Sequence, residues 1–166
     1  MTRIIAGEAR GRTIKVPAEG TRPTADRARE GLFSSLNARW GFAGSAVLDL
    51  FAGSGALGLE AASRGADEAV LVESSADAVK IIRHNMGVVR HPGVRVQEMK
   101  VGTYLASAPR QHFDLVLADP PYAFDEVEDL IAAIEPVLTD RAMVVIERHV
   151  DSAETKWPAG FEPTGQ

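Results

Sequence analysis

The chain has no cysteine among its 166 residues, which excludes disulfides, thiolate zinc sites and cysteine nucleophiles. It lacks an apolar run long enough to span a bilayer, and its start, "MTRIIAGEARGR", lacks the apolar stretch of a secretory signal. These absences fit a cytoplasmic protein with no membrane partner, and a monomer is expected. The four histidines (His84, His91, His112, His149) show no metal-ligand spacing, so surface histidines and no metal site are expected. What remains is ordinary for one soluble domain: 45% hydrophobic and 25% charged residues, in a chain long enough to bury a core.

The net charge of −5 speaks against a nucleic-acid binder only until it is divided. Residues 1–40 hold eight basic side chains against four acidic, and the remainder ten against nineteen, so +4 and −9 compose the total. Such asymmetry hints at a polyanion-binding arm, although a solvated face explains the charge alone about as well.

Patterning divides the chain in the same place. "RIIAGEARGRTIKV" reads as a hairpin around a turn from Gly7 to Gly11. A helix follows with Thr24 as its N-cap, an apolar face of Ala28, Leu32, Phe33 and Leu36, and Arg22, Arg27 and Arg29 lying elsewhere. From residue 46 short apolar strands alternate with helices: "AVLDLF", "EAVLVE", "GVRVQEM", "FDLVLAD" and "AMVVIER" as strands, and "ALGLEAASRG", "SADAVKIIRHNMGVV" and "EVEDLIAAIEPVL" as helices. Near-continuous apolar strands between helices predict a parallel sheet covered on both faces. The organisation expected is an N-terminal hairpin and helix over 1–40 and an α/β domain over 41–166.

Two motifs carry chemistry. "DLFAGSGALGLE" places Gly53-x-Gly55-x-x-Gly58 between a strand and a helix, where glycines let a ligand approach main-chain N–H groups. Glu73 ends the next strand eighteen residues after Gly55, in position to accept hydrogen bonds from ribose hydroxyls. The pattern points to a nucleotide-like cofactor, and Asp49, four residues before Gly53, suits a cationic ligand better than a pyrophosphate. The second motif is "LVLADPPYAF", where Asp119-Pro120-Pro121-Tyr122 ends an apolar strand. Two prolines cannot continue a sheet ladder. Either the strand simply stops, or a stiff loop holds an acceptor and a flat ring against a planar substrate.

Asp49-Leu50-Phe51-Ala52-Gly53-Ser54-Gly55 resembles motif I of the class I S-adenosylmethionine-dependent methyltransferases, and Asp119-Pro120-Pro121-Tyr122 their motif IV in enzymes acting on exocyclic amines. With "RIIAGEARGR", "TRPTADRAREGLFSSL" and "VLDLFAGSGALGLEAASRGA", the likeness extends over nearly the whole chain to the RsmD-type bacterial 16S ribosomal RNA guanine-N2 methyltransferases. The resemblance implies a Rossmann-like class I methyltransferase fold, a mostly parallel sheet with helices on both faces plus the N-terminal β-hairpin and helix. It implies S-adenosylmethionine as cofactor, held by Asp49, Phe51, Gly53, Gly55, Glu73 and Asp119. The target base falls to Asp119, Pro120 and Tyr122, and Arg10, Arg12, Lys15, Arg22 and Arg27 fall to RNA phosphates. The implied partner is 16S ribosomal RNA in an assembled or assembling 30S subunit.

A guanine N2 amine is a poor nucleophile because its lone pair is delocalised into the ring. The Asp119 carboxylate and the Pro120 carbonyl would bond its two hydrogens and favour a pyramidal nitrogen, while Tyr122 stacks on the flipped base. Two features depart from the family pattern. Val101-Gly102 stands where an acidic residue near the cofactor adenine is expected. A further antiparallel strand is expected beyond "WPAGFEPTGQ", so a chain ending at Gln166 is expected to be truncated. The rival readings are a DNA adenine-N6 methyltransferase, an NAD-dependent oxidoreductase using the same glycines, and a non-catalytic RNA-binding protein with a relic pocket.

Overall fold

The computed structural model describes residues 1–16, 23–39, 41–121, 126–147 and 157–161, with 23–28 and 39 described by backbone alone. The hairpin forms: β1 (Thr2–Arg3) pairs antiparallel with β2 (Thr13–Ile14). Helix α1 (Pro23–Arg39) follows. It begins at Pro23, whose fixed φ and missing N–H suit a first turn, so Thr24 lies inside the helix and not at its cap. Strands and helices then alternate as β3 (Ala46–Leu50), α2 (Ala56–Ser63), β4 (Glu68–Glu73), α3 (Ala76–Val89), β5 (Val94–Glu98), α4 (Val101–Ser107), β6 (Phe113–Ala118), α5 (Val127–Ile134) and β7 (Leu138–Ile146). Helix α4 was not foreseen; "VGTYLAS" is short and carries a glycine. A single 3₁₀ turn, Glu135–Val137, carries the chain from α5 around Pro136 into β7.

The five long strands form one sheet in the order β5-β4-β3-β6-β7, every neighbouring pair parallel. Side chains alternate across it with a period of two. Val47, Ala69, Leu71, Leu115 and Leu117 face a core shared with α2, α3, α1 and the hairpin. Leu48, Leu50, Val70, Val72 and Val116 face the second core, under α4 and α5. Both faces are therefore apolar, which explains why the strands read as unbroken hydrophobic runs. His112, expected as a plain surface histidine, sets Nε2 2.7 Å from Glu68 Oε2 near the start of β4.

The N-terminal arm is bound to this sheet layer and does not stand off it. Ile4, Ala9 and Ile14 share the first core with Phe33, Leu36 and Leu59. Glu60, fully buried in α2, accepts the backbone N–H groups of Ile5 (2.8 Å) and Ala6 (3.1 Å) and the Nε of Arg64 (2.9 Å). Ser63 accepts from Ala9 N–H at 2.9 Å through its hydroxyl oxygen and donates to Ala6 C=O at 2.6 Å. At Gly7, with φ +87°, a Cβ would fall 1.7 Å from the Ser63 carbonyl oxygen, so only glycine lets the turn lie this close to α2. Arg29, read from sequence as lying off the apolar face, is buried and donates to Thr2 Oγ1 (3.0 Å) and Arg3 C=O (2.8 Å).

Glu60→Ala should therefore loosen the arm. It leaves two backbone donors and a guanidinium without their acceptor, a loss of about 2–4 kcal/mol. Thermal denaturation should show a melting point lower by roughly 5–15 °C, whereas Glu8→Ala, at an exposed position, should leave it within about a degree or two. Equal melting points for Glu60→Ala and the wild type would contradict this anchoring role.

Candidate active site

The sheet changes winding direction at β3, whose neighbours β4 and β6 lead to opposite edges. In an open parallel sheet the crevice beyond the carboxyl ends of such strands is where ligands bind. Here β3 leads into the glycine loop, β4 ends in Glu73 and β6 is followed by Asp119.

The loop leaves β3 through three positive φ values, at Phe51 (57°), Gly53 (60°) and Gly55 (81°). For a non-glycine residue such as Phe51 that conformation is costly and persists only where neighbours fix it. Glu73 does part of the fixing: Oε1 accepts Gly53 N–H at 2.8 Å and Oε2 accepts Ser75 N–H at 2.9 Å. A carboxylate has about four acceptor positions, so these two bonds leave capacity for hydroxyl groups of a ligand. The three glycines do different things. A Cβ at Gly53 would meet nothing within 4 Å, so its backbone faces open space, whereas one at Gly55 would lie 2.7 Å from Leu71 Cδ2. Gly58 is needed for packing, since a Cβ there would lie 2.9 Å from Leu71 Cδ1 and 3.1 Å from Asp49 Oδ2.

Asp49 lies beneath this loop, 1% exposed, with Oδ2 accepting Gly58 N–H at 2.9 Å. Burial pushes its carboxyl up to about 8; the Gly58 hydrogen bond opposes the shift, and the charges of Asp119 and Glu73 add to it. Expected from sequence to face a cationic ligand, Asp49 instead reaches the crevice through the loop it supports.

Beside the loop a cleft of about 440 Å³ opens, lined on its apolar side by Phe51, Val72, Val101, Leu105 and Leu130. Glu73 and Ser74 stand at the β4 end, Lys100 and Gly102 at the start of α4, and Glu126 and Asp129 at the start of α5. This brings together Phe51 and Glu73 from the expected cofactor set, with Val101 and Gly102 in the same lining.

Across β3 stands Asp119, whose N–H lies 3.4 Å from Leu50 C=O, while Glu147 N–H donates to Ala118 C=O at 2.9 Å. Asp119 is exposed at the crevice mouth, yet its carboxyl is pushed up to about 6, first by desolvation and then by the charge of Glu147. Pro120 is half-buried and Pro121 exposed. Tyr122 and Arg22 lie outside the described residues, as does the Arg27 side chain. Among the remaining expected phosphate contacts, Arg10 and Lys15 are exposed on the arm. Arg12 has an internal use that its sequence did not announce: Nη1 donates to Val88 C=O (3.2 Å) and Val89 C=O (3.0 Å), at the carboxyl end of α3. Among the described residues no group of three or more metal-ligating side chains forms, and no helix is long and apolar enough to cross a membrane.

A family model described as conserved hypothetical protein 95 matches residues 2–166. The chain belongs to that family, the RsmD family of methyltransferases. Within the family, it is 36% identical over 162 residues to ribosomal RNA small subunit methyltransferase D of Escherichia coli K12, covering 96% of this chain and 80% of that protein. A solved Escherichia coli protein, yhhF, described provisionally as a methyltransferase, superposes with a TM-score of 0.83 at 37% identity, covering 95% of this chain and 86% of that one. A SAM-dependent methyltransferase of Agrobacterium tumefaciens, at 21% identity and a TM-score of 0.67 over 81% of this chain and 47% of that one, shares the fold. The Rossmann-like methyltransferase fold expected for an RsmD relative is thus present.

The buried Asp49 makes a prediction about stability. Its carboxyl range is raised from 3.8 to about 8 on folding, so the folded chain holds the proton more tightly than the unfolded one. Stability from this group is complete below the unfolded value and is lost as pH rises toward and through the folded one. Asp49→Asn keeps an acceptor oxygen for Gly58 N–H and cannot ionise. Its melting point relative to the wild type should climb between about pH 4 and about pH 8 and then level; a gap constant with pH would contradict a raised, buried carboxyl.

Proposed function

We propose that the chain transfers a methyl group from S-adenosylmethionine to the exocyclic N2 of a guanine in 16S ribosomal RNA, acting on an assembled or assembling small subunit. The observation that carries this reading is the setting of Glu73 and the apolar cleft at the β4 side of β3 and of Asp119-Pro120 just beyond β6 on its other side. Family membership supports methyltransferase activity on ribosomal RNA; an exocyclic amine is inferred from the chemistry of the Asp-Pro-Pro loop, and guanine as the base from the resemblance to the guanine-N2 methyltransferases.

The residues present fit the cofactor. Open space over Gly53 leaves main chain free for a ligand to approach, the apolar cleft takes a flat ring, and Glu73 at its edge suits ribose hydroxyls. When bound, S-adenosylmethionine supplies an electrophilic methyl on a positively charged sulfur. Glu73 would hold the ribose, Phe51 and Val101 the adenine, and Gly53 the amino-acid end. The buried charge of Asp49, once ionised, favours a cation above the loop.

On the substrate side, the Asp119 carboxylate and the Pro120 carbonyl accept the two N–H bonds of the amine and turn its lone pair toward the crevice. Two fixed acceptors stabilise charge as it develops without reorganising. Adjacent prolines limit the backbone freedom of the loop that holds them. A carboxyl raised to about 6 is ionised at neutral pH and close enough to neutrality to receive the proton the amine releases. Tyr122 supplies the stacking face, and Arg10 and Lys15 meet phosphates, which position RNA without reading its sequence.

Two results test this reading. Asp119→Ala should abolish methyl transfer while S-adenosylmethionine still binds within a few-fold, because an interaction made in the transition state is removed. The wild-type rate should fall as pH drops through about 6, the carboxylate being required in its ionised form. A loss of cofactor binding in Asp119→Ala as large as in Glu73→Ala would overturn the division of labour. On the arm, replacing Arg10 and Lys15 with alanine should weaken RNA binding and reduce its salt slope by about 0.7–0.9 for each phosphate no longer neutralised. Parallel salt slopes for variant and wild type would return the arm to a solvated structural role.

A further inference from the structure

Asn85 occupies a position in α3 where its helix calls for an apolar residue. Its buried neighbours on that face are Val79, Ile82 and Val89, and Asn85 itself is 0% exposed. A buried amide is tolerated only when its donors and acceptor are used. Those of Asn85 are divided between two places. Oδ1 accepts Lys15 N–H at 2.7 Å, Nδ2 donates to Lys15 C=O at 2.8 Å, and Nδ2 also donates to Ser54 C=O at 2.9 Å. One side chain thus pairs with both backbone groups of a residue at the end of the basic arm and with the carbonyl inside the glycine loop.

Ser54 stands between Gly53 and Gly55, both at positive φ, and Gly53 N–H is the group Glu73 accepts. The direction of the Ser54 carbonyl and of the neighbouring N–H groups therefore depends on where Asn85 holds it. On the other side, Lys15 presents an exposed cation immediately after β2. Fixing Lys15 on a phosphate fixes the backbone that Asn85 pairs with, and fixing the loop on a cofactor fixes the same amide from the opposite direction. Where two ligands order one shared element, the first to bind supplies part of the ordering the second requires, and the effect is reciprocal.

We propose that Asn85 is a positioning residue that couples the arm to the cofactor loop, so that RNA and cofactor each bind more tightly in the presence of the other. The coupling rests on the arm being the RNA-facing surface of a methyltransferase, as proposed above. It assigns to a helix outside the crevice a part in assembling the reactive complex.

The test uses the full chain, S-adenosylhomocysteine as the cofactor probe, and small subunits from cells lacking the protein. The dissociation constant of the probe is measured with and without saturating subunits, for the wild type, Asn85→Ala and Asn85→Asp. The aspartate keeps an acceptor for Lys15 N–H but has no donor for Ser54. The wild-type constant should fall about fivefold or more when subunits are present, a typical size for coupling between sites, and in both variants the ratio should collapse toward one. A purely structural role would lower melting point and both affinities and leave the ratio unchanged, which would overturn the proposal. Should the variants fail to fold, hydrogen exchange in the wild type decides: the probe should slow exchange of the Lys15 amide together with residues 51–58. Protection of the loop with no change at Lys15 would overturn the coupling. If subunits and probe both bind the wild type with a ratio of one, the coupling falls and the methyltransferase reading stands; if the probe does not bind the wild type at all, both fall.

Discussion

Glu73 takes Gly53 N–H on one carboxylate oxygen and Ser75 N–H on the other, and the ligand end of the sheet depends on that pair. The chain must leave β3 through left-handed backbone at Phe51, Gly53 and Gly55, where main-chain bonds such as Gly55 N–H to Ala52 C=O (2.8 Å) are joined by side-chain hydrogen bonds. Three side chains from three elements supply them: Glu73 from β4, Asp49 from β3 through Gly58, and Asn85 from α3 through Ser54. Such over-determination is what lets strained backbone persist at a functional site. It also means that the groups best suited to hold a cofactor already hold the loop that the cofactor would lie on.

The electrostatics follow from the same crowding. Asp49, Glu73 and Asp119 end or nearly end three adjacent strands; burial raises the Asp49 carboxyl most, and the charges of Asp119 and Glu73 add to that rise against the opposing Gly58 hydrogen bond. Glu73 at the end of β4 and Asp119 just beyond β6 favour a positively charged sulfur over a pyrophosphate. That asymmetry separates a methyltransferase crevice from a dinucleotide crevice built on the same glycine spacing, and it weighs against the oxidoreductase alternative.

Much of this was legible from the sequence because the signals are local. The apolar runs of β3, β4 and β6 are short and uninterrupted, and the glycine spacing is contiguous. What escaped were contacts between residues far apart in the chain. Glu60 reaches Ile5 across 55 positions and Asn85 reaches Lys15 across 70; no period records such partners. A trace was present nonetheless, since Glu60 sits inside the mostly apolar "ALGLEAAS" and Asn85 continues the Val79–Ile82 face. A polar residue on an apolar face is a demand for a partner, here met by the arm. The charge division at residue 40 suggested an appendage, yet the arm shares its core with α2 and α3 because its own two-residue strands are too short to stand alone. Helix α4 was missed because seven residues with a glycine give little periodicity.

The most direct measurement is the chemical identity of the product. Purified protein is incubated with S-adenosylmethionine carrying a labelled methyl group and with small subunits from cells lacking it, and the digested nucleosides are resolved by mass. The label is expected in N2-methylguanosine from 16S RNA, at a single position. Label in N6-methyladenosine, transfer to duplex DNA in preference to subunits, or binding of subunits without any transfer would contradict the assignment.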